Sequence, residues 1–503
     1  MTQRTALCGT TAIFIALSGS AWAEVTGADV WANWKSAAES VGQTLTPGSV
    51  DQSGDTLTIS DLQIAMDMTD VKITGAIDEI AFRDNGDGTV AISMSPSYGL
   101  TIDADSDDAE DARVNLTVNQ EGLAMVASGT PDAITYDLLA SAIRVVLDDL
   151  VVEDEDVDIT GEIALTDMDG KYVVSAGDMT QVMSDLRAAR MTIVAAANEP
   201  GGDGTFTMNL DYADIAGSTE GSLMMMADPT AISQALADGM NTASSMTHGA
   251  ASFDVDFKDG SDVFALEGTA DTGTFDVAMN ADALSYAVSN TGLAFAMSGS
   301  EIPLPEIAAV FGEIGFTFLM PVAASEEPGD FGIGITLRDL SVSDMIWSMI
   351  DGGGQLPHDP ATLIIEVAGK ANWLFDIFDP DSVDVMDSEM PAELHSLDIK
   401  ALQLTLAGAE LTGTGGFTFN MDDLESFDGL PAPTGAVDLK LVGGNGLMDS
   451  LVAMGLLPEE QAMGARMMLG LFARPGDGED TLTSKIEVDG DTGAISANGQ
   501  RLQ

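Results

Sequence analysis

Three histidines, one cysteine and a crowd of carboxylates are the residues of this chain that could do chemistry, and their spacing decides which chemistry. His248, His358 and His395 lie far apart, with no second histidine at the spacing of a metal-binding pair. Metal ligands come in clusters, so each reads as a solitary surface side chain; His358, in Pro357-His358-Asp359-Pro360, sits in a turn. A nucleophile elbow needs Gly-x-Ser-x-Gly at a strand-to-helix turn. The nearest stretch, Gly217-Ser218-Thr219-Glu220-Gly221, has threonine at the nucleophile position and lies between strand-like segments. There is no phosphate-cradling Gly-Lys-Ser/Thr loop, and no Gly-x-Gly-x-x-Gly following a strand in a βαβ unit. Acid pairs are so frequent that carboxylate spacing carries no information about glycoside hydrolysis. Asp103-Ala104-Asp105-Ser106-Asp107-Asp108 imitates the start of a calcium loop, but Asp108 stands where glycine is needed and Val114 where a bidentate glutamate is needed. Glu153-Asp154-Glu155-Asp156 is a plain charge run. No catalytic residue, no specific metal site and no cofactor is expected, and the chain is not read as an enzyme.

Charge and the N-terminus set the environment. The chain has 82 acidic against 18 basic side chains, a net charge of −64. Such a surface repels nucleic acid and anionic membranes, and both are excluded as partners. The sequence is nonetheless 45% hydrophobic, which separates it from disordered acidic proteins. Residues 1–23 read as a signal peptide: Arg4 supplies the positive region, Thr11 to Leu17 a short apolar core, and Ala21-Trp22-Ala23 a small-x-small cleavage site before Glu24. Cys8, the single cysteine, falls inside that segment, so the mature chain would have no disulfide or thiolate chemistry. No later apolar run is long enough to span a bilayer, and an exported, periplasmic protein without a transmembrane segment is expected.

The elements that must position any site are mostly strands. From Phe275 to Met297 the apolar residues recur with period two: Phe275, Val277 and Met279, then Leu284, Tyr286 and Val288, then Leu293, Phe295 and Met297. The same alternation surrounds turns at Asn119–Gly122, Lys258-Asp259-Gly260 and Asn85–Gly88. Leu402, Leu404 and Leu406 precede Phe417 and Phe419 across a glycine-rich bend, and Asp169-Gly170 and Asp489-Gly490 read as tight hairpin turns. Helices are few: 28–41, one capped by Asp228-Pro229 and ended by Gly239, 343–350, 447–454, and one after Pro458 with Met463, Met467 and Leu471 on one side, read as packing. Met224-Met225-Met226 adds to a methionine count of 28. Gly201–Gly204 and Asp351–Gly354 read as long hairpin loops. The expected architecture is mainly β with a few helices (α+β): a long, twisted antiparallel sheet curling into a half-barrel or groove, with helices on its ends or one face. Residues 24–503 are read as one elongated domain, with sub-repeats at about 24–300 and 301–503. Separately, Gly332–Leu337 leading into Asp344–Met349 is echoed by Gly435–Leu441 leading into Asp449–Met454.

The C-terminal part runs strand (Leu397–Leu406), glycine-rich strand (Gly413–Phe419), Gly435–Leu441, the helix at Leu447–Gly455, Pro458, a Met/Leu helix and a final hairpin ending Gly493-Ala494-Ile495-Ser496-Ala497-Asn498-Gly499. In that order it resembles exported Gram-negative proteins grouped as domain of unknown function 2125, and more remotely the AsmA-type envelope proteins. The first resemblance implies export but no catalytic residue; the second implies long sheets curled into apolar grooves for lipid. AsmA-type proteins usually carry a membrane anchor, where this chain has a signal-like leader. The residues themselves point to more one-face-apolar strands than the few helices can cover. A groove lined by Phe275, Val277, Leu284, Tyr286, Leu293 and Phe295, holding lipid or another hydrophobic ligand, is therefore expected. The alternative is an acidic structural or adhesive envelope protein acting through its surface on an envelope partner, with Ca²⁺.

Overall fold

Alternation with period two is realised as 28 strands joined in one hydrogen-bonded sheet. The computed structural model describes residues 24–68, 70–105, 110–153, 155–175, 179–199, 201–222, 232–378, 392–424, 427 and 431–502. The leader-like residues 1–23, Ser106–Asp108, Asp154, Met224–Met226 and Asp228-Pro229 lie outside them. The strands pair antiparallel, each with strands no more than three places away in chain order. Ala283–Gly299, for example, pairs on one side with Asp262–Ala270 and Thr272–Met279 and on the other with Ile307–Pro321. The series continues through Gly329–Val342, Ala361–Trp373, Ala392–Leu406, Ala409–Asn420, Ala432–Val442 and Thr481–Asp489. The result is one large curled sheet, a partial ring that does not close into a barrel.

Five helices accompany it among the described residues: α1 (Gly27–Ser40), α2 (Ile232–Ala237), α3 (Asp344–Ile350), α4 (Gly444–Ala453) and α5 (Glu459–Phe472). The best-packed core sits under α1. A capping box starts this helix: the Asp29 N–H donates to the Thr26 hydroxyl at 3.3 Å, and the Thr26 N–H to the Asp29 carboxylate at 3.0 Å. Val30 packs with Ile59, Phe82 and Tyr136, all four with no exposed surface. Burying an apolar side chain of this size contributes about 1.5–3 kcal/mol. A buried polar link through this core is the Tyr136 hydroxyl, which donates to Asn33 Oδ1 at 2.8 Å. Burial pushes the hydroxyls of Tyr136 and Tyr172 up, Tyr172 to about 12, so both stay neutral phenols at ordinary pH.

A crease crosses the long strands. Asp61, Asp167, Asp214 and Asp339 each stand mid-strand with φ of 53°, 49°, 51° and 53°, and Gly292 does so at 60°. Pairing stops at these positions: Thr166 faces Arg190 and Met168 faces Ala188, while Asp167 faces no partner, and beyond Asp339 the pairing with Ala361–Trp373 resumes shifted by one residue. A glycine lies close to several of these aspartates. A Cβ on Gly249 would sit 3.2 Å from Asp214 Oδ2, and one on Gly312 would sit 3.1 Å from Asp339 Cβ. Asparagine and aspartate tolerate the left-handed region better than other side chains, and β-branched residues do so worst.

Three turn readings are corrected. Asp169-Gly170 is interior to the strand Ile159–Ser175, and glycine is there because a Cβ would collide with Leu186 of the next strand. Leu284–Val288 and Leu293–Met297 belong to one strand, Ala283–Gly299, kinked at Gly292. The glycine-rich run 413–416 is not the bend after Leu406 but lies inside a strand, as the strand reading Gly413–Phe419 has it, and a Cβ on Gly415 would approach the Ala436 carbonyl to 2.6 Å. The hairpin turn is Ala407-Gly408, with both residues at positive φ.

Substitutions at the exposed Asp214 test the crease. Asp214→Val, forcing a β-branched residue into the left-handed region, is expected to cost about 1–3 kcal/mol, and Asp214→Gly less than about 1 kcal/mol. Denaturant midpoints of the two variants measure the difference.

Candidate functional site

The crease explains how the apolar residues of a kinked strand stay on one side. Leu284, Tyr286 and Val288 have even numbers and Leu293, Phe295 and Met297 odd ones, and the left-handed Gly292 between them shifts the alternation by one. Tyr212 and His248 come from opposite sides of the crease, yet their rings meet edge-on at 5.1 Å. Both halves therefore present their apolar residues on one face, the face that packs on α1 at the N-terminal end.

All six expected groove residues lie on this face, and all are half-buried. They form two groups. On one side of the crease Phe275 pairs with Val288 and Val277 with Tyr286, while Leu284 faces Met279. The Phe275 and Tyr286 rings meet edge-on at 5.4 Å. On the other side Leu293 faces Phe311, and Phe295 lies between Gly268 and Ala309. Sequence reasoning missed most of the partners, because the register carries the stripe onward. Val288 faces Phe316, Phe316 faces Ile335, Ile335 faces Ile365 and Ile365 faces Leu402. Alternation in each of those strands was the signal that could have found them.

Little covers this stripe. Met246 is 41% exposed, Phe316 38%, Ile333 44% and Ile335 36%, values that rule out a second layer over them among the described residues. Where α2 lies, Leu236 and Met240 pack near Met279, Leu284 and Val322. Between covered and uncovered parts is an apolar hollow of about 350 Å³, lined by Phe318, Met320, Phe331, Ile333, Trp373 and Leu394. Its wall is fixed by Trp373, whose indole N–H donates to the Pro321 carbonyl at 2.7 Å. A larger hollow of about 650 Å³ is lined by Asp254, Glu267, Ala296, Val310 and Ser341, side chains of opposite parity to the apolar set.

The histidines are not free surface groups. His248 is half-buried at the crease, with Nδ1 2.7 Å from the Gly249 carbonyl and Nε2 3.3 Å from Asn290 Oδ1. His395 Nε2 lies 2.6 Å from Asn372 Oδ1. His358 stacks on Trp347 at 4.1 Å and points Nε2 at the Asp351 carboxylate, 3.5 Å away. No serine or threonine hydroxyl contacts an imidazole among the described residues. Glu199, Asp203 and Asp259 bring carboxylate oxygens within 4.8 Å of one another, all exposed. They come from two hairpin loops, a convergence that spacing in the sequence does not reveal. The methionine helix is corrected: Met463 and Met467 of α5 are 64% and 67% exposed, so this stripe is not packing.

No protein-family model matches the chain, and no curated protein matches it.

One titrating group locks local structure. The buried Asp351 carboxylate accepts the backbone N–H groups of Gln355 at 2.9 Å and Leu356 at 2.7 Å. These bonds, with His358 beside them, hold its pKa below the ordinary carboxylate value of 3.8. A lowered folded-state pKa adds stability above the unfolded value, and that stability is lost as pH falls through the folded value. Wild-type protein acidified below pH 3.8 should therefore lose melting temperature more steeply than Asp351→Asn, compared by calorimetry across pH 2–6.

Proposed function

We propose that this chain is an exported, non-catalytic envelope protein of the periplasm that shelters the apolar part of a lipid or similar hydrophobic molecule on the inner face of its sheet. One observation carries the reading: an apolar stripe from Met246 to Leu402, continuous from strand to strand and exposed along much of its length. At the usual spacing of about 4.8 Å per strand it extends roughly 30 Å. Monomeric proteins rarely leave so large a contiguous apolar surface to water unless something binds there. The apolar hollow beside it gives a chain end a place to lodge. Export rests on the signal-like leader, and the resemblance to domain of unknown function 2125 agrees with export while adding no activity. No helix among the described residues is long and apolar enough to cross a membrane.

A solvatochromic apolar dye such as N-phenyl-1-naphthylamine tests the reading. Wild-type protein should bind it saturably with enhanced emission, and added fatty acid or lysolipid should displace it. The double variant Phe316→Asp/Ile335→Asp places two charges in the stripe and should weaken binding about tenfold or more. Because both positions are exposed, the folded state should survive. Absence of saturable binding to the wild type would sink the reading.

A further inference from the structure

Resting on the groove reading above, we propose that this face selects amphiphiles by head-group charge, taking the acyl chains of zwitterionic lipids and excluding net-anionic ones. The first observation is the face itself. From Ile159–Ser175 through Ala361–Trp373, away from the crease, the only Asp, Glu, Lys or Arg in register with the apolar set is the pair Asp259 and Asp262, which closes a hairpin at the sheet edge. The polar groups Tyr212, His248 and Asn290 meet at the crease. A bound chain would thus meet hydrocarbon, and a charged head group would have to lie at a strand-end edge.

The second observation is what those edges carry. Beside the apolar hollow, the turn after Thr272–Met279 exposes Asp282, and the loop from Pro321 to Gly329 exposes Glu326 and Glu327. The nearest lysine on that side, Lys370, is held by Asp330 at 2.7 Å. At the opposite edge Asp259, Asp262 and Glu301 are exposed, against Lys258. A lipid phosphate with no compensating cation would face fixed negative charge whichever way it emerged, in a chain of net charge −64. A choline or ethanolamine head brings its own cation to the same carboxylates. Charges at such exposed edges act over a Debye length, about 10 Å at 0.1 M salt, so the discrimination must fade as salt rises.

The experiment titrates the full mature chain with lysophosphatidylcholine and with lysophosphatidylglycerol of the same acyl chain, below their micelle concentrations, at low and at high ionic strength. At low salt the zwitterionic lipid is expected to bind about tenfold tighter, with the ratio approaching one in high salt. The exposed-site triple variant Asp282→Asn/Glu326→Gln/Glu327→Gln should bring the low-salt ratio down toward one. Equal affinities at low salt, or tighter binding of the anionic lipid, overturn charge selection and leave the groove reading standing. A ratio that the triple variant does not move overturns the assignment to this edge. Binding of neither lipid overturns the groove reading and this inference together.

Discussion

Backbone hydrogen bonding holds this molecule together, and it does so in a single layer. Each long strand satisfies its N–H and C=O groups against the next, so the sheet can extend indefinitely without a second sheet behind it. What such a layer cannot do is hide its own apolar face. In a sandwich, a facing sheet would interdigitate with those side chains. Here five helices are the only other regular elements described, and the fully buried side chains concentrate under α1 and its strands. The accessible surface, 28872 Å², is far above the roughly 17,500 Å² expected for a compact chain of this mass. Everything functional follows from that imbalance between apolar area and available cover.

The crease converts a flat problem into a shaped one. Regular strands of 15 to 20 residues twist, but they do not bend sharply. Left-handed aspartates and one glycine, set at intervals across the sheet, let the half-strands turn relative to each other while the apolar residues remain on the same side. The same line gathers the polar residues Tyr212, His248 and Asn290 where the half-strands meet. Fold and site thus share one device: the residues that bend the sheet also align its two apolar halves.

Much of this was legible in the sequence. Period-two patterning located several of the strands, the helix signals placed the five described helices within a few residues, and the excess of one-face-apolar strands over helices anticipated the curled, open sheet. The six residues from Phe275 to Phe295 fall on the same face because alternation reports the face directly. The crease was not legible. An aspartate with φ near 50° looks like any acidic residue in a chain so rich in them, and the odd-to-even shift at Gly292 resembled a turn between separate strands. Asp169-Gly170 misled for a related reason: glycine serves close cross-strand approach as readily as it serves a turn. The exposed Met463 and Met467 show the limit of helical periodicity, which finds an apolar stripe but not whether anything covers it.

The central claim is that the stripe through Phe316 and Ile335 is open to solvent while the core under α1 is closed. Single cysteines placed at Phe316, Ile335 and Ile59, in a chain whose own Cys8 is replaced by serine, report this through their rates of reaction with a soluble thiol reagent under native conditions. Cysteines at Phe316 and Ile335 should react near the rate of a surface thiol, and a cysteine at Ile59 should be strongly protected. Protection at Phe316 and Ile335 equal to that at Ile59 would contradict an uncovered apolar face.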